Sequence, residues 1–359
     1  TFKEEMKREA IEEMYYRNPD ESAVRVFTLP QIIFFALLVA ISIHGLLYYS
    51  YTTITILIYI VIILFLASIL FKFLLSIVGS FQEKNQIVSQ EEIDDIDEKN
   101  LPLYSVLVPL YKEPEIIETL IDSLKRLDYP KNKLDILLLF EEDDDLTINK
   151  AKNMHIPDNW SFVYVPDSKP KTKPKACNYG LKAARGKYVT IYDAEDIPEK
   201  DQLKKAVIAF EKADDDVICF QSALNYFNRD ENLLTILFTL EYSYWFDYML
   251  PGLDALKLPI PLGGTSNHFK IEKLRELGNW DPFNVTEDAD LGIRAYAREY
   301  RVGILNSTTF EEANNNLSNW INQRSRWLKG YLQTFLVHNR KPLNFIKKVG
   351  FKGWLTLQI

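Results

Sequence analysis

KYVTIYDAED, residues 187–196, joins an apolar run to a cluster of acids, and the type of fold follows from it. Tyr188–Tyr192 is rich in β-branched and aromatic side chains, which predicts a short strand. Asp193, Glu195 and Asp196 follow it directly. In open sheets with parallel strands, ligands bind beyond the carboxyl ends of the strands. These acids therefore indicate a candidate binding site at the end of a strand.

Earlier and later parts of the chain continue this pattern of short strands separated by helices. The other predicted strands are 104–110 (YSVLVPL), 134–140 (LDILLLF) and 161–165, and the predicted helices are 115–127, 176–184 and 203–212. Alternation of this kind is typical of βαβ units. We therefore predict an α/β domain, residues 101–335, with a mostly parallel central sheet.

The overall composition excludes several classes of protein. The 359 residues include 42 Lys and Arg against 50 Asp and Glu, a net charge of −8, which lacks the basic face that nucleic-acid binding needs. Cys177 and Cys219 are the two cysteines, without paired spacing, so neither a disulfide scaffold nor a thiolate zinc site is expected. We predict no nucleic-acid partner.

Two apolar runs precede the α/β domain. Leu29–Tyr49 and Ile54–Phe71 each approach the roughly 20 residues that a helix needs to cross a bilayer. The alternative is a signal peptide followed by a buried helix, but no small-residue cleavage site separates the runs. We therefore predict a transmembrane hairpin, residues 29–80, with the lipid bilayer as a partner.

Basic residues flank this hairpin on both sides and predict its orientation. They are Lys3, Lys7, Arg8, Arg17 and Arg25 before it, and Lys72 and Lys84 at its far end. Because basic flanks stay in the cytoplasm, both ends are expected there. The predicted location is the plasma (inner) membrane, multi-pass, with the α/β domain cytoplasmic.

The remaining segments have weaker patterns. In residues 1–28, Phe2, Met6, Ala10 and Met14 recur every four positions, which predicts an amphipathic helix on membrane or protein, with a solvated extension as the alternative. Residues 81–100 are acidic and predict a linker. In residues 336–359, the stretch Phe345–Ile359 alternates lysines with apolar residues, which predicts an interfacial segment leading toward further transmembrane helices.

The acids after Tyr192 favour a divalent cation. Asp193, Glu195 and Asp196 would repel one another, and Mg²⁺ or Mn²⁺ prefers such oxygen ligands together with substrate phosphates. The alternative is a helix N-cap, since Asp196 precedes Pro198 and a helical stretch.

Two further segments suit a nucleotide. Glu141–Asp145 is an acid run after a strand, where a carboxylate can accept hydrogen bonds from a base or ribose. Lys169–Asn178 (KPKTKPKACN) spaces lysines before a helix, and a helix N-terminus with positive charge suits a diphosphate. Solvated loops are the alternative for both.

Five motifs occur together in an order that resembles a known family. They are Pro109-Leu-Tyr-Lys-Glu113, Lys175-Ala-Cys-Asn178, Asp193-Ala-Glu-Asp196, Thr286-Glu-Asp288 and Gln323-Arg-Ser-Arg-Trp327. This series resembles the membrane-embedded family-two glycosyltransferases, in particular the processive, cellulose-synthase-like branch of polysaccharide synthases. The resemblance covers roughly Leu101 to Thr334 and includes the preceding hairpin. It implies a nucleotide-sugar-binding domain of the glycosyltransferase A type.

The resemblance implies a role for each matched residue. Nucleotide-sugar binding falls to Tyr111, Glu113, Glu141, Asp143, Lys173, Lys175, Asn178, Asp193, Gln323 and Arg326. The donor implied is a nucleotide-diphosphate-sugar, with a UDP-sugar favoured. The cation is Mg²⁺ or Mn²⁺ at Asp193. The usual Asp-x-Asp reads Asp193-x-Glu195 here, so Glu195 and Asp196 both remain candidate ligands.

The catalytic motif in this resemblance is Thr286-Glu287-Asp288. Asp288, next to Glu287, would be the general base that takes the proton of the acceptor hydroxyl, and direct displacement would give a β-linkage from an α-linked donor. An acidic helix start is the alternative.

The acceptor side is expected to include an aromatic residue and a glycine-containing stretch. Trp327 would stack on the acceptor sugar, with a membrane-interface anchor as the alternative or additional role. Gly264, Thr265 and His268 are placed beside the acceptor because glycines allow close approach to a ligand. His268 is also the rival to Asp288 as base.

These observations together predict an inverting, metal-dependent hexosyltransferase. Its expected acceptor is a growing β-linked polysaccharide, a glycan that an export partner would carry across the membrane. One alternative is a single sugar transfer to a lipid or lipid-linked acceptor. Another is a non-catalytic membrane scaffold that responds to nucleotide-sugars and recruits an export partner.

Overall fold

The computed structural model describes residues 2–82 and 88–358. Thr1, Ile359, Lys84 with its neighbours in the predicted linker, and the side chain of Phe2 lie outside the described residues. The helices are α1 (Phe2–Arg17), α2 (Leu29–Tyr48), α3 (Ser50–Phe81), α4 (Gln90–Asp94), α5 (Ile117–Lys125), α6 (Asp145–Lys152), α7 (Lys173–Leu181), α8 (Gln202–Lys212), α9 (Leu233–Tyr244), α10 (Leu250–Ala255), α11 (Ile271–Glu276), α12 (Glu287–Tyr296), α13 (Leu317–His338) and α14 (Pro342–Gln358).

The strands form one mixed sheet. They are β1 (Tyr104–Leu110), β2 (Leu134–Glu141), β3 (Trp160–Val165), β4 (Tyr188–Ile191), β5 (Ile197–Pro198), β6 (Val217–Tyr226), β7 (Asn267–Lys270) and β8 (Arg301–Glu311). Their order is β3-β2-β1-β4-β7-β6-β8-β5. β1 pairs in parallel with β2 and β4, β2 with β3, and β6 with β8. β7 runs antiparallel between β4 and β6, and β5 runs antiparallel to β8.

This sheet confirms the predicted α/β class and the four predicted strands. β1 and β2 are buried along almost their whole length, as expected for strands covered on both faces. Helices α5 and α8 pack on one face, and α7, α10, α11 and α12 pack on the other. The helices predicted at 115–127, 176–184 and 203–212 are confirmed as α5, α7 and α8. Helix α7 begins earlier than predicted, at Lys173, because Pro174 in its first turn is compatible with a helix start.

The two apolar helices stand outside this domain. α2 and α3 are long and apolar enough to cross a membrane, and the most apolar stretch of each has almost no residues buried by the rest of the protein. Helix α3 has 32 residues, about 48 Å, so it exceeds a bilayer core of about 30 Å. It therefore continues from the apolar hairpin into contact with the α/β domain.

That contact depends on two glycines. A Cβ on Gly79 would lie 1.9 Å from the Tyr248 carbonyl oxygen, and one on Gly252 would lie 2.2 Å from that of Leu75. Only glycine permits such close approach of the backbones of α3 and the α10 region. The end of α3 is thus packed directly against the domain.

Helix α1 lies on protein. Ala10 and Met14 are both 2 % exposed, and the Asn178 side-chain amide of α7 donates to the Ala10 carbonyl oxygen at 3.0 Å. The helix also pairs with α7 through Glu9 and Lys182. Of the two surfaces predicted for the apolar stripe, membrane or protein, the structure gives protein.

The last described helix packs on α12. Phe345 and Val349 of α14 form a small cluster with Ile293. The helix bends at Gly350, whose φ of +70° lies in the left-handed region that favours glycine.

Candidate active site

A pocket of about 390 Å³ lies at the carboxyl ends of β1, β2 and β4. Its walls come from the ends of these strands, the N-terminus of α7 and one residue of α13. The lining residues that were predicted from the sequence are Tyr111, Glu113, Glu141, Lys173, Asp193, Glu195 and Arg326. The structure therefore brings seven of the predicted residues into one cleft, at the edge of the sheet where ligands are expected.

Lys173 connects two parts of this site. Its Nζ lies 2.5 Å from Asp193 Oδ1 and donates to the carbonyl oxygen of Gly264 at 2.6 Å. The lysine is in the first turn of α7, at the positive end of the helix dipole. This corner of the pocket suits an anion.

Two glutamates in the cleft have raised pKa values. Partial desolvation, then the charge of Asp193, raises the pKa of Glu195 to about 7. The same causes, followed by the charge of Glu195, raise the pKa of Glu113 to about 7. Crowding of carboxylates leaves an excess of negative charge that a bound cation would offset.

Asp196 is buried beneath the cleft. It is 1 % exposed, its Oδ2 accepts from the backbone N–H of Asp193 at 2.8 Å and from the Thr265 hydroxyl, and its Oδ1 has no partner. Burial, then the charge of Asp193, raises its pKa well above the usual range. Asp196 therefore shapes the turn that carries Asp193.

The donor set fits a hard divalent cation that also takes ligand oxygens. Within the described residues, no three acidic, histidine or cysteine side chains converge into a complete metal site. Asp193 and Glu195 nevertheless offer carboxylate oxygens from the same turn. Mg²⁺ commonly binds through one or two carboxylates and completes its shell with phosphates and water.

The first turn of α12 brings a second pair of acids to the site. Burial and then the charge of Asp288 raise the pKa of Glu287 to about 8, and burial raises the pKa of Asp288 to about 6. The positive charge of Lys173 opposes both shifts. Asp288 Oδ1 accepts from the backbone N–H of Ala289 at 2.8 Å.

Gly264 lies directly against Asp288. A Cβ added at Gly264 would be 3.5 Å from Asp288 Oδ2 and 4.0 Å from Lys173 Nζ. The predicted base, the lysine and Asp193 are thus gathered around the Gly264 backbone. This grouping provides a cation for an anionic leaving group and a carboxylate with a raised pKa beside it.

The predicted nucleotide residues lie around the opposite end of the cleft. The Tyr111 ring is 36 % exposed, and the ammonium groups of Lys112 and Lys171 each lie 5.1 Å from its centroid. Lys171 pairs with the exposed Asp143 at 2.5 Å. An exposed aromatic ring beside lysines suits stacking and phosphate contact.

Three of the residues predicted to bind the nucleotide-sugar make internal contacts instead. Lys175 and Glu141 form a buried ion pair at 2.8 Å, with side chains 1 % and 4 % exposed. Asn178 is buried, donates to the carbonyl oxygens of Ala10 and Trp280, and accepts from the Trp280 N–H. The structure does not bring Asn178 into the cleft.

On α13 the predicted motif separates into two environments. Arg326 lines the cleft, whereas Gln323 accepts from the Asn314 amide at 2.9 Å. Trp327 packs with Phe238 and Tyr242, with ring centroids 6.1 and 6.4 Å apart.

Sequence reasoning missed the residue that organises this aromatic cluster. The Arg324 guanidinium lies 4.6 Å from the Trp327 ring centroid and 4.7 Å from that of Phe238, and it forms a bidentate pair with Glu241. An arginine within the motif was visible in the sequence, but its distant partner Glu241 was not.

His268 does not fit the predicted role beside the acceptor or as a base. It is fully buried in β7, where Nδ1 lies 2.7 Å from the Tyr104 hydroxyl and Nε2 lies 3.2 Å from the Ser222 hydroxyl. Burial lowers its pKa to about 3. Thr265 is likewise 1 % exposed and donates to the Ile191 carbonyl oxygen and to Asp196. Both residues are buried because β7 lies within the sheet, between β4 and β6, and Thr265 comes just before β7.

Glu311 is a further acid that the sequence analysis did not single out. It closes β8, and burial followed by the charges of Asp196 and Asp193 raises its pKa well above the usual range. The sequence signal that could have identified Glu311 is an acid at the end of a strand, which is the same signal that identified Asp193.

Comparison with known proteins gives a family match over most of this domain. The model for glycosyltransferase-like family 2 matches residues 102–330. A probable glycosyltransferase of Bacillus subtilis, YdaM, is 26 % identical over 260 residues, which cover 69 % of this chain and 61 % of that protein. A probable glycosyltransferase of Sulfolobus acidocaldarius is 24 % identical over 262 residues, covering 72 % of this chain and 56 % of that protein. The chain thus aligns with about three fifths of the length of these relatives.

A solved structure shares the fold. It is the mannosyltransferase PcManGT of Pyrobaculum calidifontis in complex with GDP-Man and Mn²⁺, with a TM-score of 0.51 and 21 % identity. The match covers 69 % of this chain and 73 % of that one.

Proposed function

The chain belongs to glycosyltransferase-like family 2, and on that premise we propose that it is an inverting transferase that uses a nucleotide-diphosphate-sugar, with a UDP-sugar favoured. The observation that carries this proposal is the grouping of Lys173, Asp193 and Asp288 around Gly264. It supplies a binding corner for a diphosphate and a base for an acceptor within one site.

Asp288 is the proposed general base. The acceptor oxygen attacks the anomeric carbon, the bond from that carbon to the diphosphate oxygen breaks, and the acceptor proton passes to the Asp288 carboxylate. One displacement of this kind inverts the anomeric centre. A pKa of about 6 leaves the carboxylate ionised at neutral pH yet closer to the operating pH than an ordinary aspartate.

The departing diphosphate gains negative charge as this bond breaks. Lys173 at the start of α7 and Arg326 of α13 are the cations of the cleft that we expect to stabilise it. Arg326 suits a phosphate because its planar fork can donate two hydrogen bonds.

We propose Mg²⁺ or Mn²⁺ as the cofactor, held by Asp193 and Glu195 rather than by the buried Asp196. When bound, such an ion would neutralise diphosphate charge. The fit of the two carboxylates supports this assignment, and so does the Mn²⁺ present with GDP-Man in the structure of PcManGT.

We also propose that α2 and α3 form a hairpin in the plasma membrane, with the catalytic domain in the cytoplasm. Their length, their apolar character and their lack of cover within the described residues support insertion. The close backbone contact at Gly79 and Gly252 would then hold the catalytic domain near the membrane surface.

Two acceptors are compatible with this site. Elongation of a β-linked polysaccharide, with an export partner, remains the proposal from the sequence, supported by the aromatic cluster around Trp327. Transfer to a lipid acceptor is favoured by a second, apolar pocket that is lined in part by Ala289, the residue after Asp288. A non-catalytic scaffold is the alternative that turnover would exclude.

The test uses the full-length protein in lipid nanodiscs with a panel of UDP- and GDP-sugars and either Mg²⁺ or Mn²⁺. We expect metal-dependent nucleotide release that Asp288→Asn abolishes while donor binding persists. Asp122→Asn, an exposed acid on α5 outside the cleft, is the matched control and should keep full turnover. Donor binding without turnover by the unaltered protein would overturn the transferase proposal in favour of the scaffold.

A further inference from the structure

We propose that an apolar pocket between the hairpin and the catalytic domain binds the hydrocarbon chain of a lipid acceptor whose head bears the reacting hydroxyl. This pocket, called the interfacial pocket below, has a volume of about 270 Å³. The proposal rests on the proposed transferase function and names the class of acceptor. It concerns a site separate from the cleft that holds Lys173 and Asp193.

The interfacial pocket is lined by residues of α3, α10, α12, α13 and α14, by the 245–249 segment and by two prolines. Its α3 wall is Phe71 and Leu75, its α12 wall is Ala289 and Ile293, and Leu357 of α14 closes one side. Phe335 and Tyr331 of α13, with Pro259 and Pro261, add to the apolar lining. Apolar spaces of this size are rare inside close-packed domains, and an apolar occupant would gain free energy by filling this one.

One wall of the interfacial pocket is continuous with a membrane-length helix. Phe71 and Leu75 lie in the last third of α3, whose preceding turns expose apolar side chains almost without interruption. A hydrocarbon chain that lies against α3 in a bilayer can therefore follow the same helix into the pocket. The occupant favoured by this continuity is a lipid rather than a soluble apolar molecule.

Charge at the rim agrees with this orientation. Lys72 is the one charged side chain among the described residues that line the pocket, and it is exposed on α3. Lysines at the ends of membrane helices place their ammonium groups at the level of lipid head groups. Lys72 thus places the pocket near the level of lipid head groups.

The opposite wall leads to the catalytic base. Ala289 lines the pocket and directly follows Asp288 in the first turn of α12. Tyr331 of α13 lines the same pocket as Ala289. A lipid with its chain in the interfacial pocket would present its head beside Asp288.

The chemistry needs no further reactant. The lipid hydroxyl oxygen bonds to the anomeric carbon, the sugar–diphosphate bond breaks, and the hydroxyl proton passes to Asp288. The products are a glycosylated lipid and a nucleoside diphosphate.

The first experiment locates a lipid on the full-length protein. Nanodiscs of phosphatidylcholine and phosphatidylglycerol would contain a diacylglycerol with a diazirine in one acyl chain, a probe that has a free hydroxyl. After irradiation, peptide mass spectrometry should find labels on the α12 and α13 walls, near Ile293 and Phe335. Labels confined to the outer surfaces of α2 and α3 would mean surrounding bilayer lipid only and would overturn the proposal.

The second experiment fills the interfacial pocket. Ile293→Trp should reduce labelling of the α13 wall and raise the KM for a lipid acceptor at least tenfold, while the donor dissociation constant stays unchanged. Leu66→Trp, on the exposed face of α3, is the matched control and should change neither. Equal lipid KM for Ile293→Trp and the unaltered protein would reject the pocket.

Misfolding of a variant and failure of the proposed transferase function can each be told apart from failure of the lipid proposal. Thermal unfolding of Ile293→Trp reports its folding, and Leu357→Trp fills the pocket from α14 if the first variant is unstable. Because photolabelling needs no turnover, it still detects lipid in the interfacial pocket if no sugar donor is consumed. Turnover with soluble glycan alone, without pocket labelling, would reject the lipid and leave the transferase.

Discussion

Lys173 Nζ lies 2.5 Å from Asp193 Oδ1, so the first turn of α7 is joined by an ion pair to the turn after β4. The positive charge of Lys173 also lowers the pKa values of Glu113, Glu195, Glu287 and Asp288 and so offsets part of their rise. One cation therefore sets the electrostatics of both the acid cluster and the proposed base. Its position would tie the proposed donor binding to the proposed proton transfer.

Removal of this cation should shift the pH dependence of turnover. Lys173→Met removes a charge that favours the ionised form of Asp288, so the pKa of this aspartate should rise above its value of about 6. We expect the acid limb of the kcat profile to move to higher pH by about one unit, since nearby opposite charges shift pKa values by that order.

Lys171→Met is the matched control for this measurement. Lys171 pairs with Asp143 and Asp167 at the outer rim, away from Asp288. It should weaken donor binding without moving the acid limb. An equal shift in both variants would contradict the role assigned to Lys173.

Asp288→Asn should remove activity without loss of stability. The folded protein holds the pKa of Asp288 near 6, above the unfolded value of about 3.9, so folding stability falls as pH rises through this interval and stays lower above it. Asparagine avoids this penalty, which is on the order of 1–3 kcal/mol. At pH 7.5 the unfolding midpoint should be unchanged or higher.

Asp290→Asn, two residues along α12, provides the contrast. Asp290 is fully buried between Arg294 at 2.7 Å and His338 at 2.8 Å. Loss of its charge should lower the midpoint clearly, because the Arg294 guanidinium would lose its partner. A lower midpoint for Asp288→Asn as well would show that Asp288 is structural rather than poised for proton transfer.

The strands of the first half of the domain could be predicted because their burial follows local sequence. β1 and β2 are mostly apolar runs, and such runs are typical of strands covered on both faces. β6 does not follow that rule. Gln221 and Ser222 are fully buried within it, and Gln221 is satisfied by the backbone of Gly263 and Thr265. A buried strand that contains polar residues with distant partners therefore cannot be recognised from its hydrophobic pattern.

The candidate site, like the strands, could be predicted only in part from the sequence. The acids after β4 and the lysines before α7 were visible because each adjoins a local element, but their contact depends on the parallel pairing of β1 with β2 and β4. His268 shows the limit. Its stretch suggests a ligand loop, whereas β7 enters the sheet antiparallel between β4 and β6, a long-range pairing that no local signal reports.

The buried pair Lys175–Glu141 tests whether a predicted nucleotide contact is instead structural. Lys175→Met should lower the free energy of unfolding by about 3 kcal/mol, because it leaves a buried carboxylate without its partner. The double variant Lys175→Met/Glu141→Leu should recover most of that loss. Thermal unfolding of the two single variants and the double variant gives the coupling. Additive losses would mean that the residues act independently.

Glu195 and Asp196 are the two candidate partners of Asp193 for the metal, and the structure separates them. Glu195 lines the cleft, whereas Asp196 is 1 % exposed and accepts from the Asp193 backbone N–H. Glu195→Gln should therefore raise the Mn²⁺ concentration needed for half-maximal turnover at least tenfold, without lowering the unfolding midpoint.

Asp196→Ala should give the opposite pattern. It removes the acceptor for the Asp193 N–H, and a buried donor left unpaired costs about 1–3 kcal/mol. The midpoint should fall, and the Mn²⁺ dependence of the protein that remains folded should change less than for Glu195→Gln. A stable Asp196→Ala variant with a greatly weakened Mn²⁺ response would assign the metal to Asp196, because only a ligand role would then explain its effect.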